Sequence, residues 1–143
     1  MQVGVYYFPT VYGIDISELA QALEARGFES LFVCEHTHIP VEHTPFPSGG
    51  ELPKRYKHTH DPFVALSFAA AATRTLKLGT GIALIPQRDP IVTAKSVSSL
   101  DQLSGGRFIF AMGGGWNVEE MENHGARYDT CLLYTSPSPR DRS

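Results

Sequence analysis

One unit recurs four times along this chain: a short apolar run, then polar or glycine residues, then an amphipathic stretch. Strands that alternate with helices, without hairpin signals, predict a parallel sheet with crossover helices. Because the carboxyl ends of parallel strands share one edge, we expect the functional site among the polar residues there. The predicted strands are Val3–Phe8, Ser30–Cys34, Leu76–Ile85 and Arg107–Met112, and the predicted helices are Asp15–Arg26, Asp61–Thr75, Asp89–Leu103 and Asn117–His124.

Charge and hydropathy limit the classes of partner that this chain is expected to bind. A net charge of -3 gives no basic surface for nucleic acid. No apolar run approaches the roughly 20 residues of a membrane helix, and the N-terminus has no features of a signal peptide. Cys34 and Cys131 form no disulfide framework, which fits a reducing compartment. We therefore expect a cytoplasmic protein that binds a small molecule and neither nucleic acid nor membrane.

The last residues read as foreign to the fold. Cys131–Asp141 matches, residue for residue, one reading frame of a transposase-based sequencing adapter. This segment interrupts the fourth helix with serine and proline and has no periodicity. We predict one domain over residues 1–130 and a non-native, disordered tail over residues 131–143. A natural Ser/Pro-rich linker is the alternative.

The first candidate cluster is Glu35-His36-Thr37-His38, just past the second strand. A carboxylate beside two imidazoles can hydrogen-bond a polar heterocycle, shuttle a proton or bind a metal ion. In a strand, His36 and His38 would point the same way and could share a metal, as in a metal-dependent hydrolase. The long connection that follows, up to His60, is typical of a lid over a substrate and contains Tyr56. His38 and Tyr56 are our candidate substrate contacts.

Two glycine-rich clusters complete the candidate site. Gly79-Thr80-Gly81-Ile82-Ala83 lies inside the third predicted strand, where glycine indicates a bulge, close approach of a ligand or tight helix packing. Gly113-Gly114-Gly115-Trp116-Asn117 connects the fourth strand to the fourth helix and lets backbone approach a flat or phosphorylated ligand. Trp116 could stack on a ring or pack under the helix. Asn117 and Glu120 have the spacing of a capping box.

The alternation of predicted strands and helices is compatible with two architectures. An open doubly wound sheet is one, although the first strand–helix turn lacks a glycine-rich phosphate fingerprint. The first half of an eight-fold barrel fits the spacing of the units equally well.

At these clusters the chain resembles the luciferase-like monooxygenase superfamily, and specifically its F420-dependent oxidoreductases. The resemblance covers residues 1 to about 127 and implies a TIM barrel, (β/α)8, truncated here after about four βα units. The string Ser99-Leu-Asp-Gln-Leu-Ser-Gly-Gly-Arg-Phe108 is its strongest part. Its other parts are Phe28–His38, Leu78–Ile82, Gln87–Pro90 and Gly113–Asn117.

The resemblance also implies an activity: hydride transfer between coenzyme F420 and a small organic substrate, without a metal. FMN in a monooxygenase is the alternative cofactor. By the same resemblance, Glu35 and His36 are catalytic. Gly81-Ile82 forms a bulge, often with a cis peptide bond, behind the cofactor ring, and Gly113, Gly114, Gly115 and Trp116 lie at its edge.

The resemblance raises three further points, on the acidic group of the site, on the assembly of the parent protein and on the behaviour of a half barrel. Many members carry an acidic residue near the position of Trp116, and this chain has none directly there. The resemblance also makes a homodimer a candidate assembly for the parent protein. A half barrel leaves sheet edges and core uncovered, so we expect the chain as written to be inactive and poorly soluble.

Overall fold

The computed structural model describes residues 1–130, and the predicted tail lies outside the described residues. Strands and helices alternate through this range, as the repeated unit predicts. The strands are β1 (Gly4–Tyr7), β2 (Ser30–Val33), β3 (Lys77–Thr80), β4 (Ala83–Leu84), β5 (Phe108–Ile109) and β6 (Met112–Gly113). The helices are α1 (Ile16–Ala25), α2 (Pro62–Ala72), α3 (Pro90–Ser104) and α4 (Val118–Asn123).

The sheet is parallel throughout. Its main part has the strand order β1-β2-β3-β5, and the short strands β4 and β6 pair with each other. Tyr6 of β1 lies opposite Phe32 of β2, which lies opposite Gly79 of β3. Neighbouring strands in the main sheet are therefore joined by helical crossovers, which confirms the predicted α/β class.

Aspartates begin the three long helices, as the sequence predicts. Asp15 accepts hydrogen bonds from the amides of the first turn of α1, and Asp61 does the same for α2. Asp89 caps α3, and a proline follows the cap in both α2 and α3. Gly105 ends α3 at a φ of 74°, a left-handed conformation that glycine adopts without a steric penalty.

The third and fourth strands were each predicted as continuous, and this was wrong. Each is split in two, between β3 and β4 and between β5 and β6. Between the two pairs, the hydroxyl of Thr80 donates to the carbonyl of Ala111 at 2.6 Å and accepts from its amide at 3.0 Å. A side chain thus replaces the backbone ladder at this point, so the regular pairing is interrupted.

The hydrophobic core lies on one face of the sheet. Helices α1, α2 and α3 pack side by side against this face, and alternate strand residues point into the layer between them. The fully buried members are Ala20 of α1, Leu31 and Val33 of β2, Leu66 and Ala69 of α2, and Leu78 of β3.

The other face of the sheet has no helical layer in the described residues. Tyr6 is 54% exposed there, and Ile109 also presents an apolar side chain to solvent. Parallel sheets are normally covered on both faces, so this inner face is suited to contact with further protein or a ligand. No helix between residues 1 and 130 is long and apolar enough to cross a bilayer.

Candidate active site

The three clusters singled out in the sequence meet at one edge of the sheet. The carboxylate of Glu35, after β2, accepts a 2.6 Å hydrogen bond from the amide of Leu84 in β4. A Cβ atom added to Gly113 in β6 would lie 2.2 Å from Cδ1 of Ile82. The expectation that the clusters share the carboxyl edge of the strands is therefore confirmed. We call this edge the rim: Glu35–His36, Gly81–Ile82 and Gly113–Trp116.

The peptide bond between Gly81 and Ile82 is cis, as the resemblance implied. The amide of Gly81 donates to the carbonyl of Val33 at 2.7 Å, so the bond lies directly beyond the pairing of β2 with β3. Ile82 is 37% exposed. An apolar side chain is therefore presented at the rim instead of being packed into the core.

Glu35 is buried, and both of its oxygens are occupied. One accepts from Leu84, and the other accepts from Nε of Arg88 at 2.7 Å. The guanidinium also contacts Asp61 at 2.7 Å. Burial alone would lower the pKa of Arg88, but hydrogen bonds and charge from Glu35 and Asp61 raise it above its usual value. Glu35 thus holds the end of β2 to β4 and to the segment that leads into α3.

His36 follows Glu35 in the chain and is buried among aromatic rings. Its Nδ1 is 2.7 Å from a carboxylate oxygen of Glu120. The imidazole centroid is 5.2 Å from the ring of Tyr56 and 5.8 Å from that of Trp116. Its Nε2 has no hydrogen-bond partner in residues 1–130. One nitrogen is therefore fixed by a carboxylate, and the other is available to a ligand.

Glu120 is the functional candidate that sequence reasoning missed. Asn117 lies at the N-cap of α4 as predicted, but its side chain makes no capping bond, so the predicted capping box with Glu120 was wrong. Instead the fully buried carboxylate of Glu120 bonds His36 and the amide of Thr37, at 2.8 Å for the latter. The sequence could place Glu120 near the rim from its spacing, but its partners lie more than 80 positions away.

Residues 37–60, which we call the capping segment, lie against α4 and Trp116. The ring of Phe46 is 5.9 Å from Trp116 and 5.3 Å from Tyr56. The amide and hydroxyl of Thr44 donate to one oxygen of Glu119, at 2.6 and 2.7 Å. These hydrogen bonds lower the pKa of Glu119. The segment is thus held over the aromatic side of the rim.

The two candidate substrate contacts have different positions. Tyr56 lies inside the aromatic cluster, with its ring 4.9 Å from Phe8. His38 is exposed and bonds Thr37 and Asn123, each at 3.0 Å. The prediction that His36 and His38 could share a metal ion assumed that both lie on one strand. Both residues lie beyond β2, which ends at Val33. In the described part of the chain, no group of three or more His, Cys, Asp or Glu residues could hold a metal ion.

The residues of the rim fit a flat, partly apolar ring. A Cβ atom at Gly113 would collide with the exposed Ile82, and one at Gly115 would lie 3.0 Å from the side chain of Leu84, so the bare backbone of this loop packs close to both side chains. Asn117 is 1% exposed, and neither its Oδ1 nor its Nδ2 has a hydrogen-bond partner within residues 1–130. Buried polar atoms without partners in a protein commonly meet a water or a ligand.

A cleft of about 740 Å³ lies elsewhere, between α3 and β5. Its walls include Val97 and Asp101 of α3 and Phe108 of β5. Phe108 packs toward the helical face, so this cleft is on the other side of the sheet from the inner face.

Comparison with known proteins assigns the family. Residues 9–136 match the luciferase-like monooxygenase family, and the chain belongs to it. An uncharacterized protein of Mycobacterium tuberculosis is 41% identical over 129 residues, which are 87% of this chain and 46% of that protein. The chain thus spans about half the length of such curated relatives.

Two solved structures show the same fold. The coenzyme F420-dependent tetrahydromethanopterin reductase of Methanopyrus kandleri is 27% identical with a TM-score of 0.63, over 87% of this chain and 30% of that one. A Type II Baeyer–Villiger monooxygenase of Pseudomonas putida, in complex with FMN, has a TM-score of 0.68 at 19% identity, over 89% of this chain and 33% of that one. The chain therefore forms part of a luciferase-like TIM barrel, which decides against the open doubly wound sheet.

Proposed function

We propose that the protein containing this chain is an oxidoreductase that transfers a hydride between coenzyme F420 and a small organic substrate. The observation that carries this proposal is the meeting of the exposed Ile82, the triglycine loop and His36 at one rim. The F420-dependent reductase of Methanopyrus kandleri supports the choice of cofactor.

The proposed roles follow from the contacts at the rim. Ile82 would support the back of the ring, and Gly113, Gly114 and Gly115 would allow backbone to approach its edge. Trp116 would close the aromatic side. When bound, the deazaflavin supplies the hydride chemistry, and the protein supplies orientation and hydrogen bonds. Glu35, whose oxygens are both engaged, would keep the rim in place.

His36 is the proposed proton-handling group. Its free Nε2 lies on a ring that Tyr56 and Trp116 hold by contact, so a substrate atom at the rim would meet it in a fixed direction. The capping segment would exclude water above this point, with Tyr56 in contact with the substrate. His38 faces solvent and has no role in this proposal.

Part of the site would come from outside residues 1–130. The exposed Tyr6 and Ile109 leave an apolar inner face that further chain would cover in the active protein. We propose on this ground that the chain as written does not catalyse by itself.

FMN is the second candidate cofactor, because the FMN-containing monooxygenase has the same fold. Spectral titration of the protein, at the full length of its relatives, separates the two. We expect saturable binding of F420 that is at least about tenfold tighter than that of FMN, a difference of about 1.4 kcal/mol. Tighter binding of FMN would favour the monooxygenase, and binding of neither would overturn the proposal.

A matched pair of variants tests whether the rim holds the ring. Gly113→Val places a branched side chain against Ile82 and should weaken cofactor binding by at least about tenfold. Glu122→Gln changes an exposed side chain of α4 and should leave binding unchanged. Equal affinities for the two variants would place the cofactor elsewhere.

A further inference from the structure

We infer that Glu120 is a positioning residue that keeps a proton on Nδ1 of His36 and so presents Nε2 to the rim. This inference rests on the proposed function for its catalytic consequence, but its structural part can be measured without any cofactor.

The contacts of Glu120 define which atoms must donate. Its Oε1 accepts from the amide of Thr37 at 2.8 Å and faces the hydroxyl of Thr37 at 3.3 Å. Its Oε2 lies 2.7 Å from Nδ1 of His36. The side chain is fully buried. A buried carboxylate is stable only where donors surround its oxygens, so Oε2 requires the proton that Nδ1 can supply.

This requirement sets the state of the imidazole. With Nδ1 protonated, Nε2 accepts a proton when the ring is neutral and donates one when the ring is charged. The same ring packs against both Tyr56 and Trp116, so Nε2 keeps one direction. A histidine fixed in this way is prepared to exchange a proton with a bound substrate, whereas the opposite tautomer would be unable to accept one.

The substitution Glu120→Gln keeps the shape of the side chain and so separates two possible roles of Glu120. If Glu120 positions His36, the tautomer of the imidazole changes, and if Glu120 only fills space, the tautomer stays the same. In Glu120→Gln the amide of Thr37 still needs an acceptor, so it takes the glutamine carbonyl. The glutamine NH₂ then faces Nδ1 of His36 and donates to it. Nδ1 must therefore lose its proton and Nε2 must gain one, although the shape of the side chain is unchanged.

Nitrogen NMR of the histidine rings measures directly which ring nitrogen of His36 carries the proton. With ¹⁵N-histidine in the protein at the full length of its relatives, and the His36 signals assigned by their loss in His36→Gln, we expect Nδ1 to be protonated. In Glu120→Gln we expect Nδ1 to be unprotonated and Nε2 protonated, while Glu122→Gln matches the wild type. A wild-type His36 without a proton on Nδ1 overturns the inference, even if the Glu120→Gln protein fails to fold.

Kinetics then test the consequence. Glu120→Gln should lower kcat by roughly 100-fold, at the lower end of what general acid–base catalysis contributes, and should change cofactor affinity by less than about threefold. If the NMR shows the expected tautomers but the protein binds neither F420 nor FMN, the positioning role of Glu120 is supported and the proposed function is refuted. A flipped tautomer with unchanged kcat would instead refute the catalytic part.

Discussion

The carboxylate of Glu35 accepts a hydrogen bond of 2.6 Å from the backbone amide of Leu84, 49 positions further along the chain. This contact joins the end of β2 to the strand that follows the cis Gly81-Ile82 bond. Because the other oxygen of Glu35 is held by the guanidinium of Arg88, both oxygens of this carboxylate are engaged. The rim thus depends on one buried ion pair.

Glu35→Gln should reduce the free energy of unfolding by about 3 kcal/mol, within the range found when one partner of a buried ion pair is removed. Glutamine has one acceptor oxygen where two N–H donors need one each, and Arg88 loses a negative partner. Urea denaturation measures the loss. Glu29→Gln is the control, because the Glu29–Lys77 pair is partly exposed and should be worth less than about 1 kcal/mol. Equal losses in the two variants would show that Glu35 does not organise the rim.

Thr44→Val should loosen the capping segment without unfolding the protein. The hydroxyl of Thr44 donates to Glu119 at 2.7 Å and accepts from the amide of Val118 at 3.2 Å. Their loss should cost about 1 to 2 kcal/mol locally and speed proteolytic cleavage between residues 37 and 60 several-fold. Thr59→Val is the control, since the one hydrogen bond of that hydroxyl among residues 1–130 is the weak one with the sulfur of Cys34, at 3.6 Å. If both variants are cleaved at the wild-type rate, Thr44 does not hold the segment.

Gly79→Ala and Gly113→Ala should differ in stability although each new Cβ would meet its nearest atom at 2.2 Å. At Gly79 three atoms of the Phe32 ring lie within 3.0 Å, so the whole ring must move. At Gly113 only the terminal methyl of Ile82 is that close, and it can rotate away. We expect a loss of about 1 to 3 kcal/mol for Gly79→Ala and less than about 1 kcal/mol for Gly113→Ala, from thermal unfolding. The reverse order would contradict the packing described.

Stability should depend on pH through Glu24. Hydrogen bonds from the backbone amides of Thr75 and Leu76 lower the pKa of this carboxyl to about 2. A pKa that is lower in the folded than in the unfolded protein stabilises the fold above the unfolded value of about 4.3. This contribution is lost as pH falls through that value toward 2.

The measurement is the difference in the free energy of unfolding between wild type and Glu24→Gln across this pH range. The difference should be largest at neutral pH and should shrink between about pH 4.5 and 2. Glu122→Gln, an exposed change, should show no such trend. A difference that stays constant with pH would mean that the charge of Glu24 does not contribute.

The local structure of this chain follows closely from its sequence. Asp61-Pro62 and Asp89-Pro90 begin α2 and α3 as predicted, because a capping carboxylate and a proline at the first helical position act within one turn. Gly105 ends α3 for an equally local reason. The order of the units then fixes the parallel sheet, and the resemblance adds the cis bond at Gly81-Ile82.

Contacts between distant residues could not be predicted in the same way. Thr80 interrupts the ladder by bonding Ala111, 31 positions away. Glu120 turns to His36, across 84 positions, instead of capping its own helix. Capping spacing describes what a side chain can reach locally, and here a buried imidazole and amide compete more strongly for the same carboxylate.

The central claim, that the rim holds a planar redox ring, is tested most directly by locating the bound cofactor. Backbone amide and tryptophan indole NMR signals of the protein, at the full length of its relatives, are compared before and after addition of F420, with FMN in a parallel sample. We predict that the largest shifts within this part of the chain occur at Ile82, Gly113–Gly115 and Trp116, the only tryptophan in the sequence. Shifts confined to the cleft between α3 and β5, around Val97 and Phe108, would contradict the account.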